Sequence, residues 1–98
     1  MSTSELKNRG ALRFFVTYSG VSLPFNLTGE LQAYQIENRN TYFRAYFNES
    51  GLMSGFEKIA YDEIELKHEY EYYDNGSLKL ASITDIDGEN TQLKFERT

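Results

Sequence analysis

The stretch IELKHEYEYYDNGSLKL, residues 64–80, decides the fold class of this chain. From residue 64 to residue 72, large side chains alternate with glutamate and lysine. This period of two is typical of a strand with one buried face and one solvent-exposed face. The tripeptide DNG at 74–76 interrupts the alternation, and its glycine permits the positive φ that a three-residue turn needs. The stretch therefore predicts an antiparallel hairpin of strands 64–73 and 77–85.

Short runs rich in tyrosine and phenylalanine continue this pattern on both sides of the hairpin. Eight tyrosines and seven phenylalanines occur among the 98 residues, and both residue types favour half-buried strands. Turns containing glycine separate the runs, as they do in a β-meander. At Asp87-Gly88 we expect a two-residue turn. Further strands are predicted at 41–47, 53–61 and 90–96.

The N-terminal part predicts a separate hairpin. Strands at 13–18 and 21–25 flank Ser19-Gly20, and a two-residue turn there places their apolar side chains on one face. Pro24 has no N–H to donate, so this position is expected at an edge of the sheet or at the end of a strand.

Residues 26–40 contain the one helical pattern. Leu27, Leu31 and Tyr34 recur at i, i+4 and i+7, which is the spacing of one helix face. We therefore expect a mainly β fold, an antiparallel meander with an N-terminal hairpin and one short helix. The pattern leaves open whether the sheet is open or so strongly curved that it approaches a barrel.

Composition excludes several classes of protein. The chain has no cysteine, which excludes disulfides and thiolate metal sites, and its formal net charge of −5 argues against nucleic-acid binding. No apolar run has the length of a membrane span, and the first ten residues lack the apolar core of a signal peptide. We expect a cytoplasmic protein with a flexible N-terminus at 1–10, a single β-rich domain at 11–98, and no cofactor or metal.

Three fragments carry a resemblance to a known family. TYSGVSLP (17–24), NRNTYFRAYF (38–47) and the stretch 57–72 resemble a family of small uncharacterised bacterial proteins over residues 12–85. The motifs of that family are TYSGVxLP and NRNTYxRA. The resemblance implies a shared fold and no particular activity. The family often has glycine where this chain has Asp62, and a glycine there would suit a tight turn.

His68, the one histidine, suggests a first candidate site. A three-residue turn at 74–76 places Ser82 opposite His68, and a two-residue turn at 62–63 would place Glu57 opposite it on the other side. A row of serine, histidine and carboxylate is the arrangement of nucleophilic catalysis. The alternative, which we favour, is a polar stripe in the core that satisfies His68 by hydrogen bonds.

A second candidate site lies where a loop enters the strand at 41–47. Arginine there could bind a carboxylate or phosphate through charge-assisted hydrogen bonds. The alternative, which we favour, is that the asparagines close turns and the arginine of the strand pairs with a nearby glutamate. The candidate ligand-binding residues are Asn38, Arg39, Asn40, Tyr42 and Arg44.

Two functional classes follow from these observations. The favoured class is a non-enzymatic binding or protein-interaction module that forms a homodimer through an aromatic face or a sheet edge. The surplus of tyrosine and the lack of a strong catalytic motif support it. The alternative is a small-ligand-binding protein or hydrolase-like enzyme with a pocket around His68, Ser82, Glu57 and Arg44. A filled core around His68 would favour the first class, and a concave pocket would favour the second.

Overall fold

Seven antiparallel strands form one open sheet in the computed structural model, which describes residues 11–20 and 22–98. The mainly β fold expected from the sequence is thereby confirmed, and the sheet is not closed into a barrel. The predicted flexible segment 1–10 lies outside the described residues. The elements are β1 (Ala11–Ser19), β2 (Asn26–Leu31), a 3-10 helix (Ala33–Asn38), β3 (Thr41–Phe47), β4 (Met53–Ala60), β5 (Glu63–Tyr72), β6 (Leu78–Asp85) and β7 (Asn90–Lys94).

The strand order is β2-β1-β3-β4-β5-β6-β7, so β2 and β7 are the two edges. From β3 onward the sheet is a simple meander. The connection from β2 to β3 differs, because β1 lies between these two strands. β2 ends opposite Phe14 of β1, and Phe43 near the start of β3 lies opposite Phe15. The 3-10 helix is part of this connection, which crosses the middle of β1.

The N-terminal hairpin differs from the expected one. β1 pairs with β2 from Ser19↔Asn26 to Phe14↔Leu31, so a longer connection replaces the expected two-residue turn. Val21, the first residue of the second expected strand, lies outside the described residues, and residues 22–25 form no strand. Because Pro24 cannot donate a ladder hydrogen bond, this part of the chain is poorly suited to a paired strand.

Residues 26–40 do not form the expected helix. Leu27 and Leu31 are four residues apart, and this spacing suits a strand of period two as well as a helix. The structure has β2 over the first part of the segment, and the helix is reduced to the short 3-10 helix. Gly29 inside β2 has a φ of +72°, a conformation that glycine adopts without steric strain.

One three-residue turn recurs in three hairpins of the meander. In each turn a glycine at the third position has a positive φ, as in a type I turn followed by a left-handed residue. The expected turn at 74–76 is confirmed, since Tyr73 N–H donates to Ser77 O. The turn after β6 is also of this kind, not the expected two-residue one, because Asp85 N–H donates to Glu89 O. The three glycines are Gly51, Gly76 and Gly88.

The hydrophobic core lies on one face of the sheet, which we call the core face. Pairing across neighbouring strands places Phe15 with Phe43, and Ala45 with Phe56, on this face. Phe56 is the largest fully buried side chain. The segment before β2 covers this face, where the Phe25 ring stacks 5.9 Å from the ring of Phe56. The opposite face, called the outer face, carries Phe14, Arg44, Glu57 and Lys67, which pair in sequence across β1, β3, β4 and β5.

The turn between β4 and β5 is strained. Tyr61 and Asp62 have φ values of 51° and 67°, as the two central residues of a type I′ turn require. Neither residue is glycine, and a bulky residue in the left-handed region costs about 1 kcal/mol. Tyr61 is 73% exposed, so its ring gains little from packing.

Replacement of Asp62 by glycine is therefore expected to stabilise the protein. Asp62→Gly should raise the free energy of unfolding by about 0.5 kcal/mol, because glycine adopts the required φ at lower steric cost than aspartate. Urea denaturation of both proteins measures the difference. A control variant, Asp74→Gly, changes an exposed aspartate in a three-residue turn whose glycine is already present. An unchanged or lower stability of Asp62→Gly would contradict the strained turn.

Candidate functional site

His68 lies in the middle of β5 on the core face, between Phe56 of β4 and Ile83 of β6. The side chain is only 3% exposed. Its ring stacks on Phe56 at a centroid distance of 4.4 Å and lies 5.0 Å from the ring of Phe25. Nδ1 of His68 shares a 2.6 Å hydrogen bond with the hydroxyl of Tyr70. The histidine is thus enclosed by aromatic rings and hydrogen-bonded within the core.

Burial determines the protonation of this pair. Desolvation lowers the pKa of His68 to about 4, so the imidazole is neutral at pH 7. Desolvation also raises the pKa of Tyr70, and a backbone hydrogen bond from Phe25 acts in the opposite direction. Tyr70 therefore connects the histidine to the segment that covers it.

The expected catalytic row does not form. His68 faces the core, whereas Glu57 and Ser82 lie on the outer face, opposite Lys67 and Glu69 respectively. Ser82 Oγ instead accepts a 2.8 Å hydrogen bond from the side chain of Asn90. A hydroxyl on one face of a sheet cannot transfer its proton to an imidazole on the other face, so the three residues provide no nucleophile.

Bulges caused this difference between the expected and observed registers. The tight turn uses Tyr61 and Asp62 and not residues 62–63, which changes the strand partners but not their faces, and a bulge then shifts the β4–β5 register between Lys58 and Ile59. A further shift lies in the β5–β6 pair, between Glu71 and Tyr72. Each bulge shifts the register by one residue, so side chains beyond it that were expected on the same face of the sheet lie on opposite faces.

Glu57 instead belongs to a polar cluster with Arg44 and Tyr46 on the outer face. Oε1 of Glu57 accepts hydrogen bonds from Arg44 Nε at 2.9 Å and from the Tyr46 hydroxyl at 3.0 Å, and Arg44 Nη2 lies at 2.7 Å. Burial opposes the charge on Arg44, but the hydrogen bond and charge of Glu57 outweigh it and raise the pKa of Arg44. The structure thus shows the arginine–glutamate pair that the sequence left open as an alternative.

The remaining residues of the second candidate site take part in local contacts. Asn38 ends the 3-10 helix, and Arg39 Nε donates to the carbonyl of Thr41 at 3.2 Å. The Asn40 carbonyl accepts a 2.7 Å hydrogen bond from the N–H of Tyr61. Tyr42 meets the ring of Phe14 edge-on on the outer face, at 6.1 Å. These contacts connect the loop to the strained turn, and Tyr42 and Arg44 share the outer face.

A cavity of about 400 Å³ lies away from both candidate sites, and the sequence did not predict it. It forms where the segment before β2 approaches the first strands of the sheet. Because this segment is irregular, no periodic pattern marks its cavity-lining residues. The lining residues are Arg13, Phe15, Pro24, Phe25, Asn26, Leu27, Phe47 and Met53.

Residues 11–20 and 22–98 contain neither a cluster of metal ligands nor a membrane-spanning helix. In that part of the chain, no three acidic, histidine or cysteine side chains are grouped closely enough to hold a metal ion. None of its helices is both long enough and apolar enough to cross a membrane.

Comparisons with known proteins extend the sequence resemblance. The model described as "Family of unknown function (DUF6156)" matches residues 7–98, which is most of the chain. No curated protein and no solved structure matches.

Proposed function

We propose that this chain, which belongs to the family of unknown function (DUF6156), is a non-enzymatic interaction module that pairs with a second copy of itself through β7. The observation that carries this proposal is the free edge of β7. No described strand pairs with β7 on the side away from β6, and all five of its residues are exposed. An exposed strand edge is a template for pairing with another chain.

The environment of His68 supports a non-enzymatic role. Phe25 covers the imidazole from one side and Phe56 from another, so no substrate reaches it without displacement of the covering segment. The filled core around His68 is the arrangement that favours a binding module over an enzyme. Four aromatic side chains of the core face, Phe15, Phe43, Phe56 and Tyr70, are at most 5% exposed, which favours the sheet edge over an aromatic face as the contact surface.

Backbone hydrogen bonds identify the groups that β7 presents to solvent. Glu89 and Phe95, at either end of β7, both make backbone hydrogen bonds towards β6. Successive residues of an antiparallel strand direct their backbone groups alternately to its two sides. Thr91 and Leu93 therefore face β6, whereas the N–H and C=O groups of Asn90, Gln92 and Lys94 point towards the free edge.

This edge is complementary to itself. A twofold axis through Gln92 would place the Gln92 backbone of one copy opposite the Gln92 backbone of the other, with two reciprocal hydrogen bonds. Asn90 would then lie opposite Lys94 and Thr91 opposite Leu93, so no like charges meet. Opposite charges across strands stabilise a pairing and like charges oppose it.

The apolar surface next to β7 adds to the argument. Leu93 and Phe95 are 40% and 36% exposed, and β6 contributes the half-buried Ile83 to the core face. A second copy that extends the sheet would bury part of this surface. The other edge, β2, is less suited to pairing, because the positive φ of Gly29 departs from extended strand geometry and Glu30 adds a charge.

Mass measurement in solution tests the proposal. In sedimentation equilibrium, the wild-type protein should have about twice the 11.4 kDa mass of one chain. Gln92→Pro should be monomeric, since proline removes an N–H that points to the free edge and leaves the bonds to β6 intact. Gln92→Val is the matched control, because it keeps the N–H, and it should remain dimeric.

Circular dichroism establishes that both variants keep the sheet. A monomeric wild-type protein at millimolar concentration would contradict the proposal. A Gln92→Pro variant that folds and still forms dimers would contradict the assignment to β7.

A further inference from the structure

The cavity of about 400 Å³ beside β1 has the composition of a ligand site. Its floor is formed by Phe15 and Met53, which are 5% and 8% exposed. Phe25, Phe47 and Leu27 form half-buried walls, so apolar groups surround most of the space. The volume falls within the range of cavities that bind small organic molecules, and such sites combine apolar walls with a few polar groups.

Arg13 is the charged group that lines this cavity. Its guanidinium carbon lies 5.3 Å from the centre of the Phe15 ring and 5.1 Å from that of Phe47. Cation–π contacts with both rings hold the planar group against the aromatic wall. Arg13 is exposed, so its guanidinium meets both the solvent and the apolar space.

Glu30 fixes the orientation of this guanidinium without using all of its donors. Nε of Arg13 donates to Glu30 Oε2 at 3.0 Å, and Nη2 donates to Oε1 at 2.6 Å. Among the described residues, none accepts a hydrogen bond from Nη1. This nitrogen carries two hydrogens and remains available for a further acceptor.

The geometry points to a binding site for a small apolar carboxylic acid, with its hydrocarbon part in the cavity and its carboxylate on Nη1 of Arg13. An ammonium head group has no lone pair with which to accept a hydrogen bond from Nη1. A neutral alcohol would offer Nη1 only an uncharged acceptor. Hydrogen bonds between charged groups are stronger, so a carboxylate is favoured. This site is separate from β7, so it does not depend on the proposed dimer.

Met53 provides a direct probe of binding. The chain has two methionines, so the methyl region of a ¹H–¹³C spectrum contains two methionine signals, and Met53→Leu identifies the one in the cavity. Titration of the full chain with sodium decanoate should shift the Met53 methyl signal in a saturable manner. Decanol and decylamine, with the same hydrocarbon chain, should bind at least tenfold more weakly than decanoate.

Arg13→Gln tests the assignment of the carboxylate. The variant removes the charge and should weaken decanoate binding about tenfold while the affinity for decanol changes little. Arg97→Gln, at another exposed ion pair, is the matched control and should bind decanoate like the wild type. Arg13→Lys keeps the charge without the planar group and should have intermediate affinity.

Two results would overturn the proposal. The first is the absence of a saturable Met53 shift with decanoate. The second is equal affinity for decanoate in the wild type and in a folded Arg13→Gln variant, since binding would then depend on the hydrocarbon chain alone. The mass of the protein, measured in the same samples, tests the β7 dimer separately.

Discussion

Acidification from pH 7 to below pH 4 should remove about 3 kcal/mol of folding stability through His68 alone. The pKa of His68 is about 4 in the folded protein, compared with an ordinary value of 6.5. Between these two values the unfolded chain binds a proton that the folded chain does not bind. Stability is therefore complete above pH 6.5 and decreases as the pH falls towards 4.

Urea denaturation at a series of pH values measures this loss. Acidic side chains also titrate in this range, so the relevant quantity is the difference from a His68→Gln variant, which has no titrating side chain and keeps a hydrogen-bonding group for Tyr70. The difference in stability between the two proteins should change by about 3 kcal/mol across the window. Parallel pH profiles would contradict the desolvated histidine, as would an NMR titration of His68 with a midpoint near 6.5.

Glu57→Ala should lower the free energy of unfolding by about 2–3 kcal/mol. Glu57 is 7% exposed, and its carboxylate accepts hydrogen bonds from both Arg44 and Tyr46. The variant leaves the guanidinium of Arg44 partly buried beside an alanine, without the opposite charge that compensated for its burial. Thermal and urea denaturation at pH 7 measure the loss.

An exposed ion pair provides the control. Glu65 Oε1 lies 2.7 Å from Lys58 Nζ, and the side chain of Glu65 is 40% exposed. Glu65→Ala should therefore lower the free energy of unfolding by less than about 1 kcal/mol. The double variant Arg44→Met with Glu57→Leu should recover most of the stability, because apolar groups of similar size leave no buried charge. If Glu57→Ala lowers the free energy of unfolding by no more than Glu65→Ala does, the polar cluster contributes little to stability.

The strands of the meander could be predicted from the sequence because their signal is local. The run at 41–47 has the same bounds in the structure, and the other predicted strands from residue 53 onward differ by one or two residues at their ends. Alternation with a period of two indicates which side chains face the core, and a few residues of each strand are enough to show it. The three-residue turn at Gly76 could be predicted for the same reason, since its chemistry depends on adjacent residues.

The segment 22–31 could not be predicted in this way. Leu27 and Leu31 fit a helix face and a strand face equally, and the choice depends on β1, with which β2 pairs. Phe25 reaches the core face through contacts with Phe56 and His68, which are distant in sequence. Local propensity cannot describe such contacts, so both the covering segment and the cavity beside it depend on tertiary packing.

The candidate sites show the same division between local and long-range information. The residue types favoured a pair between Arg44 and a nearby glutamate, without identifying Glu57, and the alternation of β5 placed His68 on a buried face. The partners across strands depended on register. A single-residue bulge in each of the two strand pairs places Glu57 and Ser82 on the face opposite His68. Period and charge along a strand are thus readable from the chain, whereas bulges, the β7 edge and the Arg13 cavity arise only when the strands assemble.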